Sequence, residues 1–284
     1  MFNAAIRQWR TPLAIFTSLT LFASCSGSAD KDKAQALLDS ATQAFDSGNH
    51  TLALSLTDSL KRSYPSQIEI RRKALHLTTR ATEGLTLHRL ETADSLLATL
   101  GVKGDSLQKL IRYVKNPIEG YYVGINAKDG GIVGSNGIQA RLTPNGDFYL
   151  ISSLKSKAVK STSVTVACDG TSASTSTVAY DGERNDRSMG AEVITYMGAE
   201  CDSLGHFIQL HYSQPMTLTF NGSTSYSMPL PQAQAQEIAT LYEYSTTMRR
   251  AKVASLEKEK LTRALDIARA QAAKTYVEPS DDEK

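Results

Sequence analysis

The chain is 284 residues long, 41% hydrophobic, 21% charged and 7% aromatic, a globular composition that excludes collagen-like, low-complexity and wholly disordered classes. At about 100 to 200 residues per domain it holds one large or two ordinary domains, with a core large enough to need no disulfide or metal staple. Its 31 basic residues against 29 acidic ones give a net charge of +2, which offers no general attraction to nucleic acid or acidic surfaces.

Positions 1–10 carry Arg7 and Arg10 without an acid, and positions 11–24 are apolar and uncharged. A basic start followed by a short apolar stretch is the pattern of a secretory signal peptide, and this stretch falls short of the roughly 20 apolar residues of a membrane span. Asp30, Lys31, Asp32 and Lys33 follow closely, which argues against a stop-transfer segment. The run Leu21-Phe22-Ala23-Ser24-Cys25 is similar to a bacterial lipobox. The expectation is therefore a signal peptide over 1–24, removed to leave Cys25 as an acylated N-terminus, palmitate being one of its chains. Each methylene buried in the bilayer contributes about 0.8 kcal/mol to the anchor. Ordinary signal-peptidase cleavage, with Cys25 left in a free tail, is the alternative. Losing Arg7 and Arg10 brings the basic residues level with the acidic ones, so the processed chain is neutral. Cys168 and Cys201 then remain as an even pair in an oxidising compartment. A disulfide and two separate buried thiols are both open, because spacing does not give the Cα separation.

After a polar, lipid-bearing spacer over 25–33, positions 34–116 read as helical. Ala34, Leu37, Leu38, Ala41, Ala44 and Phe45 fall at helical spacing, Gly48-Asn49 interrupts, and Leu52, Ala53, Leu56 and Leu60 form a second stripe ending at Tyr64-Pro65. This predicts two antiparallel helices joined by a short turn. The order Ala41, Gly48, Asn49, Ala53, Pro65 resembles one tetratricopeptide (TPR) unit, in which small residues permit close helix approach; a plain helical hairpin packed on further helices fits equally. The helical pattern continues to about Val114, with Gly101 and Gly104 marking a break and Arg71-Arg72-Lys73 read as a solvated face.

At Asn116-Pro117 the periodicity changes to alternation, and positions 117–230 read as an all-β sandwich or small barrel. Candidate strands are 121–125, 138–142, 148–154, 163–168, 175–180, 192–197, 207–211, 216–220 and 225–228. Asn145-Gly146 and Asn221-Gly222 supply the hairpin turns. From Gln232 to Lys274 there is neither Gly nor Pro, so positions 231–276 are expected to form a long helix. Its first part should pack on the β domain, and its section around Glu257-Lys258-Glu259-Lys260 should be solvated or coiled-coil. Positions 277–284 are expected to be a disordered tail.

Searching for chemistry gives little. His206 and His211, on a strand, would point to opposite faces and could not share a metal. Asp181, Glu183, Asn185 and Glu192 fall at calcium-loop positions 1, 3, 5 and 12, but Asp186 stands where that loop needs glycine; a solvated acidic loop is the better reading. The glycine-rich 130–137 stretch lies between strands and opens no helix, so it is read as a loop without phosphate-binding geometry. No serine is joined by spacing to a histidine and an acid.

The lipobox, the repeat-like helices, the stretch Asn116-Pro117-Ile118-Glu119-Gly120-Tyr121-Tyr122-Val123, the strand Asp147-Phe148-Tyr149-Leu150-Ile151-Ser152 and the charged terminal helix together resemble a family of uncharacterised Bacteroidota-type outer-membrane lipoproteins. That resemblance implies an envelope address and a three-part layout, and carries over no catalytic residue. The expectation is an α+β, non-enzymatic lipoprotein, with no cofactor, catalytic residue or metal ligand assigned. It would be anchored to the outer membrane through Cys25, facing the periplasm or the cell surface, and act as an interaction or assembly module for an envelope protein. The alternatives are a glycan-binding β module, suggested by the Tyr-, Thr- and Ser-rich strands, and an envelope hydrolase with an unrecognised site.

Overall fold

The protein is described by a computed structural model over residues 26–128, 130–185, 187 and 190–276; Cys25, Asp186 and the 277–284 tail lie outside these residues. Among the described residues five helices, α1 (Ser26–Asp46), α2 (His50–Ser63), α3 (Ile68–Gln108), α4 (Asp202–His211) and α5 (Gln232–Lys274), accompany nine strands in an α+β fold. Among the described residues, one unit comprises 26–85 with 267–276 and the other comprises 86–266, so α3 and α5 each contribute to both.

In the first unit the helical hairpin forms as its residues dictate. Alanines 41, 44 and 53 are buried where α1 and α2 run against each other. Gly48 takes φ +77°, a conformation that costs a side chain but not a glycine. The Asn49 side chain then accepts the Leu52 N–H at 3.1 Å and caps α2. Leu38, Leu60, Ile70 and Ala74 form a small core beside this hairpin. The end of α5 joins the same unit: Thr275 Oγ1 lies 2.8 Å from Thr79 Oγ1, and Arg269 pairs with Glu83 at 3.2 Å.

The second unit contains two antiparallel sheets. One has the order β1-β2-β3-β4-β7, from β1 (Ile111–Val114), β2 (Tyr121–Gly124), β3 (Gly137–Leu142), β4 (Phe148–Leu154) and β7 (Glu192–Met197). The other has the order β6-β5-β8-β9, from β5 (Ser163–Cys168), β6 (Thr171–Ser174), β8 (Met216–Asn221) and β9 (Ser225–Leu230). Alternating residues of both sheets enter one core, with Ile138, Leu150 and Ile194 from the first and Val164, Leu218 and Phe220 from the second. Each such side chain stabilises the fold by about 1.5–3 kcal/mol. Phe148 meets Tyr242 of α5 edge to face at 5.2 Å, so the first part of α5 seals this core, as its stripe predicts.

Several expectations are corrected. The region read as all-β contains a short 3-10 turn (Gly198–Glu200) and α4, where a strand over 207–211 is expected. Leu204, Gly205 and Ile208 are buried along one face of α4, a helical spacing that the apolar run Phe207-Ile208 disguises as a strand. Gly205 has no side chain because the Tyr242 ring occupies that space. The expected strand over 175–180 is irregular: Ser176 and Val178 donate to the carbonyls of Glu200 and Thr162, and β6 lies just before it. Helix α3 continues through Gly101 and Gly104, since Leu100, Gly104 and Leu107 keep the buried helical spacing; that packing offsets the roughly 1 kcal/mol cost of each glycine. Helix α1 begins at Ser26, so the spacer expected over 26–33 is helical, and β1 precedes the expected 117 boundary. Of the two readings of the α5 section around 257–260, solvated or coiled-coil, the solvated one is corrected: the section buries Ala254, Leu261 and Leu265 and pairs with α3 through Arg89–Glu257 at 2.9 Å and Lys258–Asp94 at 2.6 Å.

Candidate functional site

Within the second unit, residues of α3 and α5 together with the first residue of α4 form an open groove of about 870 Å³. Helix α3 contributes Arg89, Ala93 and Leu96, and α5 contributes Tyr242, Thr246, Arg249, Val253 and Glu257. These positions recur every three or four residues and therefore share a face of each helix. Two ion pairs span the groove region, Arg89 with Glu257 and Arg249 with Asp202, each at 2.9 Å. Arg250 and His88 also line it and are exposed, and Arg250 has no carboxylate partner among the described residues. Burial raises the pKa of the Tyr242 phenol, keeping it neutral. Leu96 and Val253 remain 38% and 67% exposed, enough apolar surface to reward a partner that covers them. The groove thus combines an apolar lining with a guanidinium, that of Arg250, that is unneutralised among the described residues.

A second polar grouping lies at the start of β7, against the 155–161 segment. Glu192 is buried and accepts the backbone N–H groups of Lys160 and Ser161 at 3.1 and 2.9 Å. Arg187 approaches that carboxylate at 3.8 Å and donates to the carbonyls of Lys155 and Lys157. Asn185 donates to the Ser161 carbonyl. These bonds pin the 155–161 segment, and no histidine stands in the grouping to activate Ser161. Nearby, burial pushes the Tyr196 phenol up to about 12.

The positions singled out from the sequence separate accordingly. Cys168 and Cys201 are both buried free thiols: Cys168 Sγ donates to Gln214 Oε1 at 3.0 Å and Cys201 Sγ to the Tyr196 carbonyl at 3.2 Å. The open choice between a disulfide and two thiols thus falls to thiols in this structure. Burial raises the Cys201 thiol to about 12, which leaves it inert. His206 and His211 lie on α4 instead of a strand, and His211 contacts Gln214 at 3.2 Å. Of the calcium-loop positions, Asp181 accepts the Glu183 N–H at 3.0 Å while Glu192 is engaged elsewhere. No group of three or more metal-ligating side chains occurs among the described residues. Sequence reasoning missed the groove: Leu96, Tyr242, Val253 and Glu257 are each visible as helix positions, but nothing in spacing shows that the two stripes flank one cleft.

Comparison of the chain with protein families, with curated proteins and with solved structures finds no match. No helix among the described residues is long and apolar enough to cross a membrane.

Proposed function

We propose that the protein is a non-enzymatic, lipid-anchored interaction module of a bacterial cell envelope, and that the groove between α3 and α5 is its docking face. The lipobox-like run ending at Cys25 supports the anchor, and the resemblance to outer-membrane lipoproteins supports the address. The observation that carries the docking reading is the groove itself: two helices present an apolar cleft, still open, with Arg250 uncompensated at its edge. A helix laid in such a groove buries one apolar stripe, the helix-in-groove mode of recognition. The partner that fits is an envelope protein segment with an apolar stripe and an acidic side chain to meet Arg250.

The test is affinity recovery of the tagged chain from detergent-solubilised envelopes. The wild-type chain is expected to recover a discrete partner, and Leu96→Asp combined with Val253→Asp to lose it at unchanged expression and melting temperature. Cys25→Ser should move the chain from the membrane to the soluble fraction. Equal recovery by the groove variant would refute the docking face.

A further inference from the structure

The loops beside the five-stranded sheet form a different cleft, about 340 Å³ in volume, between the 126–140 segment and the first turns of α5. This is at the small end of ligand-pocket sizes, about 300–1,000 Å³. A smaller cleft of about 130 Å³ shares Asn126 and Glu237 with it, so the Glu237 carboxylate borders both. Glu237 owes its place to Gly124, where a methyl group would meet its Cγ at 2.9 Å. The carboxylate makes no hydrogen bond among the described residues, and its half-burial raises its pKa, partly offset by the charge of Arg112.

Two amides in the cleft are already oriented. Gln139 Oε1 accepts from Arg141 Nε at 3.0 Å, and Arg141 is itself held over the Tyr121 ring at 4.0 Å; the Gln139 Nε2 donor has no acceptor among the described residues. Gln234 gives its Nε2 to the Ile138 carbonyl, which leaves its Oε1 as an acceptor. Asn126, exposed at the rim, offers both. Lys128 lines the larger cleft and Glu237 borders both, so the two charged side chains that line them among the described residues are of opposite sign and favour no ion.

Fixed donors beside fixed acceptors call for a neutral ligand whose groups each donate and accept, which is the property of a hydroxyl. A peptide shares that neutrality but binds best as an added strand. Here β3 meets β2 only at the Tyr122–Leu142 pair, and beyond it the Gln234 side chain already occupies the Ile138 carbonyl, which leaves too short a run of open edge for an added strand. We propose that this cleft binds a neutral saccharide of one or two rings, with Gln139, Gln234, Glu237 and Asn126 bonding its hydroxyls. The site is separate from the α3/α5 groove, and it lies in loops rather than on the Tyr-rich strand faces that suggest glycan binding in the sequence.

The test is saturation-transfer NMR and calorimetric titration of the full processed chain. The probes are glucose, galactose, mannose, N-acetylglucosamine and their β-linked disaccharides, with trialanine and glycyl-seryl-glycine as peptide probes. At least one sugar is expected to bind saturably. Gln139→Ala and Gln234→Ala should each weaken it at least tenfold, and Glu237→Gln by about threefold. Asn126→Ala, at an exposed position without a structural bond, should weaken it severalfold at unchanged melting temperature and keeps the test valid where a glutamine variant unfolds. Absence of saturable binding to every sugar, affinity unaltered in Asn126→Ala and in the folded glutamine variants, or tighter binding of the peptides would each overturn the assignment.

Discussion

Arg184 and Glu200 show how single residues are tuned by their neighbours. Arg184 donates through both terminal nitrogens to the Glu200 carboxylate at 2.9 and 2.8 Å, and the Met197 N–H adds a third bond at 3.0 Å. Together, the guanidinium first, they hold Glu200 well below its ordinary 4.5, at about 2. A folded-state pKa below the unfolded value means that the stabilisation is complete above about pH 5 and is lost as the pH falls from 4.5 toward 2. Because both side chains are partly exposed, the worth is about 1 kcal/mol. Glu200→Gln is therefore expected to lower stability by that amount at pH 7 and by progressively less toward pH 2, measured by urea unfolding across that range. A constant difference would contradict the assignment. The buried Glu192 is a different case: Glu192→Ala leaves the buried Ser161 N–H and the part-buried Lys160 N–H without their acceptor and should cost about 3 kcal/mol, read from the same unfolding curves. Its role as a loop clamp was not legible in the sequence, where its spacing from Asp181 suggests a cation loop. Only the fold brings Lys160 and Ser161, some thirty residues earlier, to its carboxylate. Gly222 makes a related point. The Asn-Gly pair correctly marks the β8–β9 turn, yet that glycine has ordinary φ; what excludes a side chain is the close approach of the Val159 and Lys160 carbonyls.

At the scale of elements, local pattern served where one face decides the structure. The hairpin of β3 and β4 is legible because Gly146 takes φ +84° at its turn and the flanking residues alternate. The bounds of α5 are legible because helix formers run unbroken from Gln232. Helix α4 was hidden because its ten residues bury a short apolar run whose period cannot be read in isolation. The helix pairing of α3 with α5 was hidden for another reason: alanines and leucines at wide separation reveal a stripe but not what covers it. The burial of that stripe, more than its ion pairs, should hold the pair together. Leu265, 5% exposed, should cost about 3 kcal/mol as Leu265→Ala, whereas Lys258→Gln, which removes a surface ion pair with Asp94, should cost under about 1 kcal/mol. Thermal and denaturant unfolding of the two variants separates these contributions, and equal losses would contradict the account.

At the scale of the molecule, the order of helices, strands and terminal helix could be read from changes of periodicity, but the division into units could not. Two long helices each supply residues to both units, which a linear succession of domains cannot express. The α3/α5 groove belongs to this level as well, since it exists only once the two helices lie side by side. The same holds for the saccharide cleft, assembled from β-loops and the start of a helix more than ninety residues later. Removal of positions 1–24, as proposed, would leave a neutral chain, which fits a module that recognises by local chemistry without long-range steering. A photoreactive amino acid placed at Val253 in intact cells tests this account most directly, with Leu210, an equally apolar and 63% exposed position on α4, as the control. The account predicts one dominant envelope-protein adduct from Val253 that Leu96→Asp abolishes and that Leu210 does not produce. Adducts equal at both positions, or untouched by Leu96→Asp, would contradict it.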